Sequence, residues 1–147
     1  MKRTYLLRSA DYASGNANAG SLALSFPIKA GLYKVSSFIT TNNLPALFSF
    51  NIKIEQASNK LRSSNTTGDS RGSIYIMNNV ANGEKLLQLF DELPQFLKFT
   101  HSTRRIDYSI HDSAGAAIDL SSNWELVIEK VKEFSDEEEN IEASIEV

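Results

Sequence analysis

Apolar side chains fall at every second position along most of this 147-residue chain. Successive side chains of a β-strand point to opposite faces, so an apolar set at i, i+2 and i+4 marks a half-buried strand. Phe48, Phe50, Ile52 and Ile54 alternate with Ser49, Asn51, Lys53 and Glu55. On a helix those four apolar residues would scatter around the axis. Leu22, Leu24, Phe26 and Ile28 form a second set, with Gly20 and Gly31 just outside it. Tyr33, Val35, Ser37 and Ile39 form a third, with Lys34 and Ser36 opposite. The pattern returns at Ile74 and Ile76, at Ile106, Tyr108 and Ile110, and at Trp124, Leu126 and Ile128. Thr4–Arg8 and Phe96–Phe99 supply two further extended stretches.

One segment departs from period two. Leu86, Phe90 and Leu93 are spaced i, i+4 and i+7, Gly83 precedes them and Pro94 follows. This spacing predicts one short helix over 83–93. The polar stretches 9–20 and 57–71 predict segments outside the core, because Ser, Asn and Thr compete with regular backbone pairing. Asp112-Ser113-Ala114-Gly115 predicts a turn. About eight short strands with one helix point to an all-β sandwich or barrel. A parallel α/β fold would need a helical crossover after nearly every strand. The whole is of single-domain size.

Charge divides the chain. Residues 1–131 carry 14 Lys and Arg against 11 Asp and Glu, whereas residues 132–147 carry one against seven. The expected organisation is therefore a domain over 1–131 and an acidic, flexible tail over 132–147 suited to a basic neighbouring surface. The domain's small positive surplus does not predict nucleic-acid binding. No stretch is apolar enough to predict a membrane span or a signal peptide.

The chain has no cysteine, which excludes disulfides, thiolate metal sites and cysteine nucleophiles. His101 and His111 lie in no metal-ligand spacing. No GxSxG and no phosphate-cradling glycine pattern occurs. Asp107, Asp112 and Asp119 are the nearest approach to an acidic cluster, at spacings common in polar loops. Trp124, in phase with Leu126 and Ile128, reads as a core residue. The expectation is a non-enzymatic protein with no catalytic, metal or cofactor site. Tyr12, Tyr75 and Tyr108 keep open an alternative, a binding module for carbohydrate or a receptor.

Three stretches carry a family resemblance. Leu6-Leu7-Arg8-Ser9-Ala10-Asp11-Tyr12-Ala13-Ser14-Gly15 is similar to an opening LLLRSxDRxSG pattern. Leu22 to Ile28 followed by Gly31-Leu32-Tyr33-Lys34-Val35 resembles a strand, proline, glycine and tyrosine sequence. Asp112, Gly115, Ile118-Asp119-Leu120 and Trp124-Glu125-Leu126 resemble a DxxG…IDL…WxL signature. Together they resemble the small single-jelly-roll capsid proteins of virophages, Polinton-like viruses and related large eukaryotic DNA viruses. Thr41-Asn42-Asn43-Leu44-Pro45 departs from the PNTxYNI stretch often found there. The resemblance implies a single jelly-roll sandwich acting as a penton or minor capsid protein in the virion. It implies self-association, as a homopentamer, beside a double-jelly-roll major capsid protein.

Overall fold

The structure is a computed structural model that describes residues 4–15, 18–41, 49–58, 72–78, 80, 83–92, 94–112, 115–118 and 122–133, with backbone alone for 11–15. Ten strands are found among the described residues: β1 (Thr4–Arg8), β2 (Tyr12–Gly15), β3 (Ala19–Ile28), β4 (Gly31–Thr41), β5 (Ser49–Ile54), β6 (Ser73–Met77), β7 (Lys85–Leu89), β8 (Phe96–Phe99), β9 (Thr103–His111) and β10 (Trp124–Glu133). A 3₁₀ turn, Ser9–Asp11, joins β1 to β2. Every pairing between strands is antiparallel.

The strands form two sheets. One runs β1-β10-β4, with β7 and β8 both on the far side of β4. The other runs β2-β3-β9-β5-β6. β7 pairs with Ser37–Thr41 and β8 with Gly31–Lys34, so they are two halves of one interrupted edge strand. Counted so, the chain crosses between sheets at every connection from β3 onward except the β5–β6 hairpin. That order is a jelly roll, and the expected all-β sandwich is what the chain forms.

The core lies between the sheets and is built from the alternating residues. Phe50, Ile52 and Ile54 of β5 face Ile106, Tyr108 and Ile110 of β9, and across the sandwich lie Tyr33, Val35, Phe38, Leu126 and Ile128. Trp124 is 1% exposed, with Phe38 stacked at 6.2 Å and Tyr108 edge-on at 5.1 Å between ring centroids. Ser9 is fully buried beneath it. Its hydroxyl accepts the Trp124 backbone N–H at 2.8 Å and donates to Asn123 Oδ1 at 3.1 Å.

Four expectations change. The predicted helix over 83–93 is not formed, since Lys85–Leu89 is strand β7. Leu86 and Phe90 are both buried, as the helical reading requires, but they face the core from an extended chain. The edge of β4 offers these residues a full ladder of backbone partners, whereas a helix this short is marginal.

In β4 the phase slips. Val127 pairs with Ser37 and Ile128 with Val35, which leaves Ser36 as an extra residue. This bulge turns Phe38 and Thr40 inward and Ile39 outward, reversing the predicted placing of Ser37 and Ile39.

In β3 the pairing with β9 is interrupted between Ala23 and Ile28, and Phe26 is 77% exposed and not in the core. Finally, 9–20 is not wholly outside the core. Ser9 is buried and β2 pairs with β3, while in the stretch 57–71 Ala57 is a core residue. Phe48 and residues 59–71 lie outside the described residues. β10 continues to Glu133, past the expected boundary at 131, and the remainder of the tail lies outside the described residues.

Candidate interaction surfaces

The two sheets present outer faces of different character. On the β2-β3-β9-β5-β6 sheet the outward positions are mostly polar, Met77 being an exception. Ser21, Arg105, Asp107 and Gln56 form one hydrogen-bonded cluster spanning β3, β9 and the turn after β5. The Asp107 carboxylate accepts from the Ser21 hydroxyl, from Arg105 Nε at 2.8 Å and from Gln56 Nε2 at 2.8 Å. Gln56 Oε1 in turn accepts the Asp107 backbone N–H at 2.8 Å. Burial acts to raise the Asp107 pKa. The bonds from Ser21, Arg105 and Gln56, with the Arg105 charge, outweigh it and hold the carboxyl below its ordinary range. The cluster's bonds are spent within the sheet, so it serves as a clamp across three segments.

The β1-β10-β4-β7 sheet carries an apolar band on its outer face, among polar positions such as Thr4, Glu129, Lys34 and Lys85. Leu6, Val127, Ser37 and Leu89 are partners in one row across four strands. Arg8, Glu125, Ile39 and Leu87 form the next row, in which Arg8 and Glu125 are ion-paired at 3.3 Å. Leu6, Leu87 and Leu89 are 52%, 57% and 61% exposed. The same bulge that puts Phe38 in the core brings Ile39 into this band. Exposed apolar side chains that adjoin one another mark an interaction surface more strongly than scattered ones do.

The flanks differ as well. Where β6 meets β7 and β8, two glutamine side chains seal the open strand edge. Gln95 Oε1 accepts the Tyr75 backbone N–H at 2.8 Å and its Nε2 donates to the Tyr75 carbonyl at 2.9 Å. Gln88 Oε1 accepts the Met77 N–H at 2.7 Å. A primary amide here does what a neighbouring strand's peptide group would do, and it blunts an edge open to unwanted pairing. Ser58 exchanges two backbone bonds with Lys98, each 2.8 Å, and covers β8 in the same way.

Gln95→Ala is expected to cost about 1–3 kcal/mol, because the Tyr75 N–H loses its partner and the Tyr75 carbonyl keeps only the longer bond from Gln88 Nε2 at 3.3 Å. Chemical denaturation measures this directly, and an unchanged midpoint would mean water replaces the amide without loss. Neither glutamine stands out in the sequence. The only sign is a polar residue set among Leu86, Leu87, Leu89 and Phe90, or between Pro94 and Phe96.

Where β1 meets β3 the sandwich is open. A groove of about 900 Å³ runs between them, lined by Thr4–Arg8 on one side and by Leu22–Pro27 and Lys29 on the other. The Tyr5 hydroxyl donates to the Pro27 carbonyl across it at 3.1 Å.

Among the described residues, those weighed for chemistry do not converge. His101 is exposed; His111 Nε2 lies 2.7 Å from Ser109 Oγ. Asp112 accepts the Ala116 N–H at 2.9 Å in a turn closed by Gly115, while Asp107 belongs to the clamp and Asp119 lies outside the described residues. Among the described residues no three His, Asp or Glu side chains gather to hold a metal ion, and no helix is long and apolar enough to cross a membrane. Tyr108 is buried against Trp124 and Tyr75 is half-buried. No protein-family model matches this chain, and no curated protein matches it.

Proposed function

We propose that this chain is a structural protein of a viral capsid, a penton or minor capsid component that assembles with copies of itself and with a double-jelly-roll major capsid protein. The observation that carries this reading is the apolar band of Leu6, Val127, Ile39, Leu87 and Leu89 on the outer face of a jelly-roll sheet. Such a band favours being covered by another protein surface. The sequence stretches that resemble single-jelly-roll capsid proteins support it, since parts of them form β1, β3, β4 and β10, three of which carry the band.

A ring of five copies needs a heterologous contact that closes by rotation, and a jelly roll presents distinct faces and flanks for that purpose. The clamp at Asp107 then keeps the opposite, polar face rigid and wetted.

Native mass spectrometry and electron microscopy of the purified chain test the reading. The expected result is a discrete pentamer, or incorporation into shells when the major capsid protein is present. Leu87→Glu with Leu89→Glu is expected to weaken association at least about tenfold while leaving the circular dichroism spectrum intact. A wild-type chain that stays monomeric, joins no shell and binds glycans would overturn the proposal in favour of a carbohydrate-binding module.

A further inference from the structure

The outer face of the first sheet carries charges that match a second copy of itself. Its middle row runs Leu6, Val127, Ser37 and Leu89, with a leucine at each end on the outer strands β1 and β7. One row nearer the start of β1, Thr4, Glu129, Lys34 and Phe96 are partners across β1, β10, β4 and β8. Phe96 is 41% exposed and extends the apolar surface. Glu129 and Lys34 are half-buried neighbours of opposite charge, yet neither side chain has an ion-pair or hydrogen-bond partner among the described residues. Arg8 and Glu125, on the row beyond the leucines, are by contrast ion-paired.

Those two charges decide what can cover the band. A partner surface of one sign repels either Glu129 or Lys34, because they sit side by side. A wholly apolar surface strands both without a counter-charge. A second copy, turned by a two-fold axis parallel to the strands and between β10 and β4, meets each with its opposite. In that arrangement β1 of one copy lies over β7 and β8 of the other, and β10 lies over β4. Glu129 then faces Lys34 of the second copy at two reciprocal places, and Leu6 faces Leu89. The paired Arg8 and Glu125 lay their aliphatic stems on Leu87 and Ile39. A two-fold axis across the strands would instead set Glu129 against Glu125. Strand directions stay close in the first arrangement, as in the aligned packing of β-sandwiches at about 30°.

We propose that the apolar band is the contact of a symmetric dimer, in which two copies pack these sheets face to face about a two-fold axis between β10 and β4. Naming a second copy as the occupant rests on the reading of the band as an interface, and not on the capsid. The contact is isologous, so it closes at two copies and leaves the flanks of each copy open to other neighbours. Its size sets its strength. Four strands about 4.8 Å apart and three rows about 6.8 Å apart give a footprint of roughly 400 Å² per copy. That is about half of a standard interface. The dimer is therefore weak, with a dissociation constant on the order of 100 µM, and it is populated where copies are concentrated.

Glu129→Lys alone, or Lys34→Glu alone, sets like charges face to face at both reciprocal places. Each full-length variant is expected to self-associate at least about tenfold more weakly than wild type in sedimentation equilibrium, with its circular dichroism spectrum intact. An equimolar mixture of the two should recover wild-type affinity or better as a heterodimer, because each facing pair then joins a lysine to a glutamate. Lys53→Glu places its acid on the other sheet. Mixed with Glu129→Lys it carries the same net charges, and it should hetero-associate no better than wild type mixed with Glu129→Lys. The chain has no cysteine, so introduced thiols locate the axis. A short bis-maleimide should join Leu6→Cys chains to Leu89→Cys chains at least about fivefold faster than Leu6→Cys chains to one another, which lie three strand spacings apart. A charge-swapped mixture that binds no better than either variant alone, or no better than the Lys53→Glu mixture, would overturn the dimer. So would a wild-type chain that stays monomeric at millimolar concentration. Pentamers or shells without the link from Leu6 to Leu89 would overturn it and leave the capsid reading standing, whereas a two-fold dimer that joins no shell would do the reverse.

Discussion

Trp124→Ala is expected to destabilise the domain by about 3–5 kcal/mol, the range for removing a fully buried large aromatic. The indole is the largest side chain in the core and fills the space between Phe38 of one sheet and Tyr108 of the other. Both rings belong to rigid strands at the centres of their sheets, so the site has little freedom to collapse on the void. The edge-on contact with Tyr108 adds to the area term. The bond between the Ser9 hydroxyl and the Trp124 backbone N–H survives the substitution, so the loss reads packing alone. Against a total stability of about 5–15 kcal/mol for a domain, the midpoint of thermal unfolding should fall by roughly 10 °C. Trp124→Phe should recover much of the loss. A change below about 1 kcal/mol would mean that the ring is not an inter-sheet wedge.

Gly72→Ala is expected to cost about 3 kcal/mol or more, although it adds one methyl group. Gly72 has φ +71°, in the left-handed region where a Cβ is unfavourable by about 1–2 kcal/mol. An added Cβ would also fall within the van der Waals surface of the Ile54 carbonyl oxygen and 2.9 Å from that of Ala57. These are backbone atoms, and the Gly72 carbonyl accepts the Ile54 N–H at 3.0 Å. Relief of the clash must therefore pull apart the junction between β5 and β6, at an overpacking cost of about 1–3 kcal/mol. Gly115 is the control. Its φ is +92°, but a Cβ there meets nothing within 4 Å, so Gly115→Ala should cost about 1 kcal/mol, from strain alone. Denaturant titration of the two variants separates strain from collision. Equal losses at the two sites would show that the contact at Gly72 relaxes freely.

Much of this architecture is legible in the alternation of residues. Phe50, Ile52 and Ile54, and Ile106, Tyr108 and Ile110, lie where their period places them, and Trp124 is a core residue as its phase with Leu126 implies. The misplaced residues share a cause. A bulge is a relation between two strands, so nothing local at Ser36 or at Leu24–Pro27 shows where the count slips. Ile39 and Phe26 were thus expected inside and lie outside, and Ile39 lines the surface on which the functional proposals rest. At Leu86–Phe90 a five-residue stretch with four apolar residues satisfies helix and strand alike. The decision comes from the free edge of β4, about fifty residues earlier in the chain. Gln88 and Gln95 act through the backbone of β6, a partner that cannot be identified until the sheets are assembled.

The pairing of β1 with β10 has a consequence for synthesis. β10 lies between β1 and β4, so the first sheet lacks its middle until nearly the last of the described residues has left the ribosome. Thr4 meets Glu129 and Arg8 meets Glu125, contacts that span most of the polypeptide. Loop closure over such separations is slow, and the waiting strands expose apolar edges meanwhile. The nascent chain should therefore engage holdase chaperones until β10 inserts, and a translation arrest before Trp124 should yield an aggregating fragment in place of a smaller folded one.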